Sequence, residues 1–234
     1  MQNRFRENLA AIQTRIERAA QKAGRDAKDV KLVAVSKTHP SAVLREAIEA
    51  GALVFGENKI QEAENKILEI GREKAEWHLI GHLQSNKARK AIKLFDCVHT
   101  LDSIELAERL ERICKEEPRA SLSVLVQVDL GKEAAKNGVE EKDLPPIIEF
   151  LQTCKHLKFD GLMIIPPFYE DAEKVRPFFK RLREMRDAFL QKSAFANKKG
   201  ELSMGMSHDF EIAVQEGATL VRVGTSIFGA RENL

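Results

Sequence analysis

Lys31-Leu32-Val33-Ala34-Val35-Ser36-Lys37-Thr38 is a short apolar, β-branched run that ends on a serine and a lysine, and His39-Pro40-Ser41 then opens a helix. Strand followed by helix is the unit that repeats along the chain. Comparable runs lie at 53–56, 77–81, 97–101, 122–130, 159–165, 202–206 and 220–224. Helix signals separate them: Asp102 as a cap with Glu105 three residues on, Pro145-Pro146 in a first turn, and Val175, Phe178, Phe179, Leu182, Met185 and Phe189 on one face. About eight strand-helix units predict an α/β fold of the (β/α)8 TIM-barrel type. Upstream, Phe5, Leu9, Ile12 and Ile16 form the stripe of an extra N-terminal helix that ends near Gly24, packed outside the barrel or across one end. A doubly wound open sheet is the alternative, but it normally uses fewer strands, and no Gly-x-Gly-x-x-Gly follows strand one. Without a Pro/Gly/Ser linker or a low-complexity tract, residues 1–234 are expected to form a single domain. The stretch 131–138 reads as a mobile loop over the barrel mouth.

The chain has 38 Lys and Arg against 36 Asp and Glu, a formal charge of +2, so it has no overall imbalance suited to nucleic acid or an acidic membrane. Its N-terminal residues are charged throughout, and no apolar run approaches the roughly 20 residues that span a bilayer. A soluble cytoplasmic protein is expected. Cys97, Cys114 and Cys154 are odd in number and widely spaced, which argues for reduced core thiols over a disulfide scaffold or a thiolate zinc site. His78 and His82 would share a strand face, but without a carboxylate or thiolate partner they do not make a metal site. Lys87, Arg89, Lys90 and Lys93 interleave with Ala88, Ala91, Ile92 and Phe95, the pattern of a solvated amphipathic helix face rather than a nucleic-acid patch.

Lys37 places a primary amine at the carboxyl end of a buried strand, the catalytic end of such barrels. Partial desolvation there lowers a lysine's pKa, as a Schiff-base nucleophile requires; the bland alternative is a lysine that snorkels to water. The loops after strands seven and eight, Met204-Gly205-Met206-Ser207-His208-Asp209 and Val223-Gly224-Thr225-Ser226, carry small and hydroxyl residues at helix starts, which suits a phosphate; plain N-caps at Ser207 and Thr225 are the alternative. Arg222, between Val221 and Val223, shares a strand face with Leu220 and Gly224. Facing inward, its guanidinium needs a partner, and a ligand ring nitrogen is the sharper candidate. Facing outward, it would lie under helix cover or pair with a carboxylate such as Glu57.

Val33-Ala34-Val35-Ser36-Lys37-Thr38, Phe55-Gly56-Glu57-Asn58, Trp77-His78-Leu79-Ile80-Gly81-His82-Leu83-Gln84-Ser85-Asn86-Lys87, Gly161-Leu162-Met163, Ser203-Met204-Gly205-Met206-Ser207 and Val221-Arg222-Val223-Gly224-Thr225 together resemble the pyridoxal 5′-phosphate homeostasis protein family, whose fold is that of the alanine racemase N-terminal barrel. The motifs occur in the family's order from about Lys31 to Arg231. The resemblance implies pyridoxal 5′-phosphate (PLP) as a Schiff base on Lys37, its phosphate held by Ser207 with the Gly224 and Thr225 amides, Arg222 at the pyridine nitrogen, and Asn58 and His82 beside the cofactor. From the residues alone Asn58 could equally cap the helix after strand two. His39, Ile164-Ile165-Pro166-Pro167, Asp129-Leu130-Gly131 and His208 depart from the commonest family pattern, and the 129–138 loop could alter access to the pocket.

An arginine at the pyridine nitrogen leaves that nitrogen unprotonated and the ring a poor electron sink. A racemase also needs a second acid/base opposite the lysine, which alanine racemase takes from a tyrosine with the help of a second domain. The sole tyrosine here, Tyr169, follows strand six and reads as an ordinary loop residue. The expected function is therefore buffering or delivery of PLP within vitamin B6 homeostasis, without robust catalysis and with PLP-dependent apo-enzymes as recipients. A monomer is expected, since a racemase-type second domain with its dimer interface is not anticipated. A weak amino-acid racemase is the alternative, and an adaptor built on an inactive barrel is a third class.

Overall fold

The computed structural model describes residues 2–117, 121–131 and 137–229. Eight parallel strands close on themselves: β1 (Lys31–Val35), β2 (Val54–Glu57), β3 (Glu76–Leu79), β4 (Cys97–Leu101), β5 (Leu122–Asp129), β7 (Leu157–Met163), β8 (Glu201–Met206) and β9 (Leu220–Val223). β9 pairs back onto β1 through Lys31↔Leu220 to Ala34↔Val223, so no barrel strand is left as an edge. β6 (Val139–Glu140) is a two-residue addition to the carboxyl end of β5, outside the ring. The predicted loop at 131–138 falls largely on residues 132–136, which lie outside the described residues.

The outer layer comprises α2 (Ser41–Glu49), α3 (Ile60–Ile70), α4 (Ala88–Leu94), α5 (Ile104–Glu116), α6 (Leu144–Thr153), α7 (Arg176–Gln191) and α8 (Phe210–Gln215). α9 (Thr225–Phe228), after the last strand, is a single turn. The extra helix α1 (Gln2–Lys22) packs against α2, α8 and α9, so it takes the first of the two places open to it and lies outside the barrel. Asn8 Nδ2 donates to the Ile227 carbonyl at 2.7 Å, and Arg15 pairs with Glu211 at 2.9 Å with its guanidinium 4.4 Å from the Phe210 ring centroid.

Each strand separates two apolar layers because successive side chains point to opposite faces. Outward residues such as Phe55 and Trp77, stacked at 5.4 Å, pack under the helices. Inward residues Val33, Val54, Cys97, Leu125, Met163 and Leu220 form a separate cluster inside the barrel. Element boundaries differ from expectation by a few residues. The run at 31–38 leaves the sheet after Val35 because residues 36–38 turn, with Thr38 at φ 69°. The cap of α5 is Ser103, whose Oγ accepts from the Leu106 amide at 3.2 Å, rather than Asp102, which is one residue too early to reach the first turn.

Candidate functional site

The turn after β1 carries Lys37, partly buried, and is clamped on both sides. Lys66 of α3 donates to the Ser36 carbonyl at 2.8 Å, to Glu57 at 2.7 Å and to Glu62 at 2.6 Å. Glu62 in turn accepts from the Thr38 amide, and the Ser36 hydroxyl donates to Glu57 at 2.6 Å. A β-branched residue at positive φ is strained, and here two ionic contacts from one helix hold it in place. Glu57 is wholly buried and has one carboxylate oxygen without a hydrogen-bond partner. Burial pushes its carboxyl up, while Lys66 and Ser36 pull it back.

Register then assembles the neighbouring carboxyl ends. Val33 pairs with Arg222 and Ala34 with Val223, which sets Gly224 beside Val35. A Cβ at Gly224 would stand 3.1 Å from the Val35 carbonyl oxygen, so this approach of β9 to the Lys37 turn suits glycine. Met206 pairs with Arg222, and the Ser207 hydroxyl just beyond it accepts from the Gly224 amide at a long 3.4 Å. Ser207 and Thr225 are not plain N-caps: the residues preceding α8 and α9 are Asp209 and Gly224. Val35 pairs with Gly56, two residues before Asn58, and Gly81 lies so close to Asn58 that a Cβ there would be 2.2 Å from the Asn58 carbonyl oxygen. Lys59, not Asn58, precedes α3. Ser207, Gly224, Thr225, Lys37, Asn58 and His82 thus follow the ends of five consecutive strands, β8, β9, β1, β2 and β3, as one arc.

Arg222 faces inward and is 4% exposed. NH1 donates to Ser203 Oγ at 2.5 Å and NH2 to the Ile164 carbonyl at 2.8 Å; Glu57 is not its partner, and that carboxylate instead accepts from Lys66 and Ser36 through Oε1. Burial lowers its pKa to about 10, with Asp209 opposing. His78 and His82 do not share a strand face, since β3 ends at Leu79. His78 is buried and bonds Glu76 and His99, whereas His82 is exposed and sits 3.2 Å from Asp102 Oδ2.

Sequence reasoning missed Lys66, Glu62, His99 and the bonding role of Ser203. Lys66 gave a signal, a lysine on the apolar stripe of Ile60, Ala63, Ile67 and Ile70. The ligand atoms of His78, Cys97 and His99 lie within 4.8 Å of one another; the two imidazoles bond each other, and burial pushes the Cys97 thiol up to about 12. A cavity of about 640 Å³ opens at the opposite, amino-terminal mouth, lined by Lys31, Glu76, Cys97, Ser123, Glu201 and Leu220, the first or second residues of their strands. The basic face of α4 is paired: Arg89 with Glu116 and Glu117, Lys90 with Glu64 at 2.7 Å, Lys93 with Glu117 at 3.5 Å.

Fold and site define a barrel of the alanine racemase N-terminal class, and the sequence model of the family described as "Alanine racemase, N-terminal domain" matches residues 8–232. The chain is 40% identical over 226 residues to the pyridoxal phosphate homeostasis protein of Aquifex aeolicus, covering 97% of this chain and 98% of that one. It is 42% identical over 228 residues to the protein of the same name from Pseudomonas aeruginosa, at 97% and 95% coverage. Among solved structures, PipY of Synechococcus elongatus PCC7942 with PLP bound superposes with TM-score 0.84 at 40% identity, over 96% of this chain and all of that one. Alanine racemase from Corynebacterium glutamicum, 21% identical with TM-score 0.65, shares the fold, and this chain spans 62% of its length. The chain belongs to the pyridoxal phosphate homeostasis protein family. Among the described residues no helix is long and apolar enough to cross a membrane.

Proposed function

We propose that this protein binds PLP and buffers or delivers it to PLP-dependent apo-enzymes, keeping the cofactor pool in balance without robust turnover of its own. The observation that carries this reading is the single arc of strand ends on which the Lys37 turn, the Ser207–Gly224 contact at 3.4 Å and the inward Arg222 stand side by side. The donor set fits the group: a primary amine for its aldehyde, a hydroxyl and backbone amides for its phosphate, a guanidinium for its ring nitrogen. When bound, the cofactor supplies an aldehyde that condenses with a primary amine. Lys37 would provide that amine, Ser207, Gly224 and Thr225 would hold the phosphate, Arg222 would keep the ring nitrogen unprotonated, and Asn58 and His82 would line the neighbouring strand ends. PLP in the 40%-identical PipY supports the assignment.

Two features favour a carrier over a racemase. A guanidinium donor at the ring nitrogen weakens the electron sink that α-proton chemistry needs. Tyr169 packs its ring against Phe178 of α7 at 6.3 Å, a helix-packing role rather than that of a second base. The test is the visible absorption of wild type and Lys37→Ala with added PLP, followed by borohydride and peptide mapping. A band in wild type, fixed by reduction on the Lys37 peptide and absent from the variant, supports the reading. An identical band in Lys37→Ala, or none in either, refutes it, and interconversion of alanine enantiomers at enzyme-like rates would make the protein a racemase.

A further inference from the structure

Polar side chains cross the barrel interior from one mouth to the other. At the amino-terminal mouth Lys31 Nζ stands 3.0 Å from Glu76, whose side chain is 38% exposed. Glu76 Oε1 is 2.8 Å from His78 Nε2, His78 Nδ1 is 2.9 Å from His99 Nε2, His99 Nδ1 is 2.8 Å from Ser203 Oγ, and Ser203 Oγ is 2.5 Å from Arg222 NH1. From Glu76 to Arg222 four strands contribute: β3, β4, β8 and β9.

One proton arrangement satisfies both ends with every bond running the same way. Arginine only donates, so Ser203 Oγ accepts from it and turns its one proton toward His99 Nδ1. His99 then carries its proton on Nε2 and donates to His78 Nδ1, and His78 carries its proton on Nε2 and donates to Glu76. The carboxylate accepts, held ionised by His78 and Lys31 near pKa 2. Burial drives His99 well below the ordinary histidine value, so its ring carries a single proton. In this arrangement all four bonds point from guanidinium to carboxylate, an order in which each bond polarises the next.

The direct acceptors of Arg222 are neutral oxygens of Ser203 and Ile164, with Asp209 the charge that opposes its burial, and a buried cation on neutral partners gains from polarisation behind them. We propose that Ser203, His99, His78 and Glu76 are positioning residues for Arg222, a one-way hydrogen-bond chain that fixes the guanidinium and ties the cofactor's surroundings to a carboxylate at the opposite mouth of the barrel. The inference rests on the reading that Arg222 serves the pyridine nitrogen. Ser203→Ala cuts the chain next to Arg222, His99→Phe cuts it in the middle, and Glu76→Gln removes the terminal charge while keeping the shape.

The experiment compares the absorption maximum and the PLP dissociation constant of these three variants with wild type and with Leu125→Ala, which loosens the same barrel interior but is not a member of the chain. Ser203→Ala and His99→Phe are expected to shift the maximum and weaken PLP about tenfold, Glu76→Gln to shift both in the same direction by less, and Leu125→Ala to leave the maximum unmoved. Variants that match wild type in both quantities, or a Leu125→Ala shift as large as theirs, overturn the proposal. Should the interior variants fail to fold, Glu76→Gln alone decides: a shift supports the chain and an unmoved maximum refutes it. A wild-type protein without any cofactor band would instead sink the PLP reading itself.

Discussion

Lys66 Nζ donates to the Ser36 carbonyl oxygen at 2.8 Å, one residue before Lys37, the lysine proposed for the cofactor. The same ammonium neutralises the buried Glu57 at 2.7 Å, so one side chain both charges and shapes the turn. Lys66→Met leaves Glu57 buried without its cation, and breaking such a pair costs about 3–5 kcal/mol. Urea unfolding should show that loss. The double variant with Glu57→Gln should recover most of it, and a single variant within 1 kcal/mol of wild type would contradict the pairing, with ~1 kcal/mol being the surface-pair limit.

Glu76 is held to a pKa of about 2, mainly by its hydrogen bond to His78, against an ordinary 4.5. A depressed carboxylate contributes stability above its unfolded pKa and loses it as pH falls toward the folded value. Wild type should exceed Glu76→Gln in stability at neutral pH, and the gap should close between pH 4.5 and 2. With the side chain 38% exposed the gap will be small. Thermal melts of both proteins across that range measure it; a gap that widens on acidification contradicts the assignment.

Gly81 has no room for a side chain, because a Cβ would meet the Asn58 carbonyl oxygen at 2.2 Å. Gly81→Ala must push the ends of β2 and β3 apart. Overpacking of this kind costs about 1–3 kcal/mol. The variant should melt lower and, since Asn58 moves with its backbone, should bind PLP more weakly by equilibrium dialysis. Unchanged PLP affinity would remove Asn58 from the cofactor's surroundings.

Burial pushes the thiols of Cys97 and Cys154 up to about 12, and Cys114 is buried as well. The thiolate is the reactive form, so the native protein should react slowly with a thiol reagent at pH 8 and release all three thiols only in denaturant. One fast equivalent in the native state would point to an accessible thiol.

The barrel was legible because each strand-helix unit carries its own periodicity: a buried run such as 122–130 is recognisable without its neighbours. The position of Lys37, Ser207 and Gly224 just past strand ends was legible because strand ends are. The Arg222–Ser203–His99–His78 contacts were not, since they join β9, β8, β4 and β3 across the lumen, and the stagger of a closed sheet decides which interior residues meet. The α5 cap was misplaced by one residue because Asp102 and Ser103 are both competent caps, and only the geometry of the first turn separates them. His82 was placed on the face of His78 because the run at 77–81 was read two residues too long; the chain leaves β3 after Leu79.

The seam between β1 and β9 joins Lys31 to Leu220, near opposite ends of the chain. Such pairing has high contact order, and closing so long a loop costs entropy before any contact rewards it. During synthesis β1 must therefore wait, its backbone donors and acceptors open along one side, until β9 has left the ribosome. An open strand edge is a template for pairing with other chains. α1, which packs against α2, α8 and α9, has two of these three helices made after β8, so it too gains most of its packing only when the ring shuts. Aggregation of truncated chains that end before Leu220 is the hazard built into this topology.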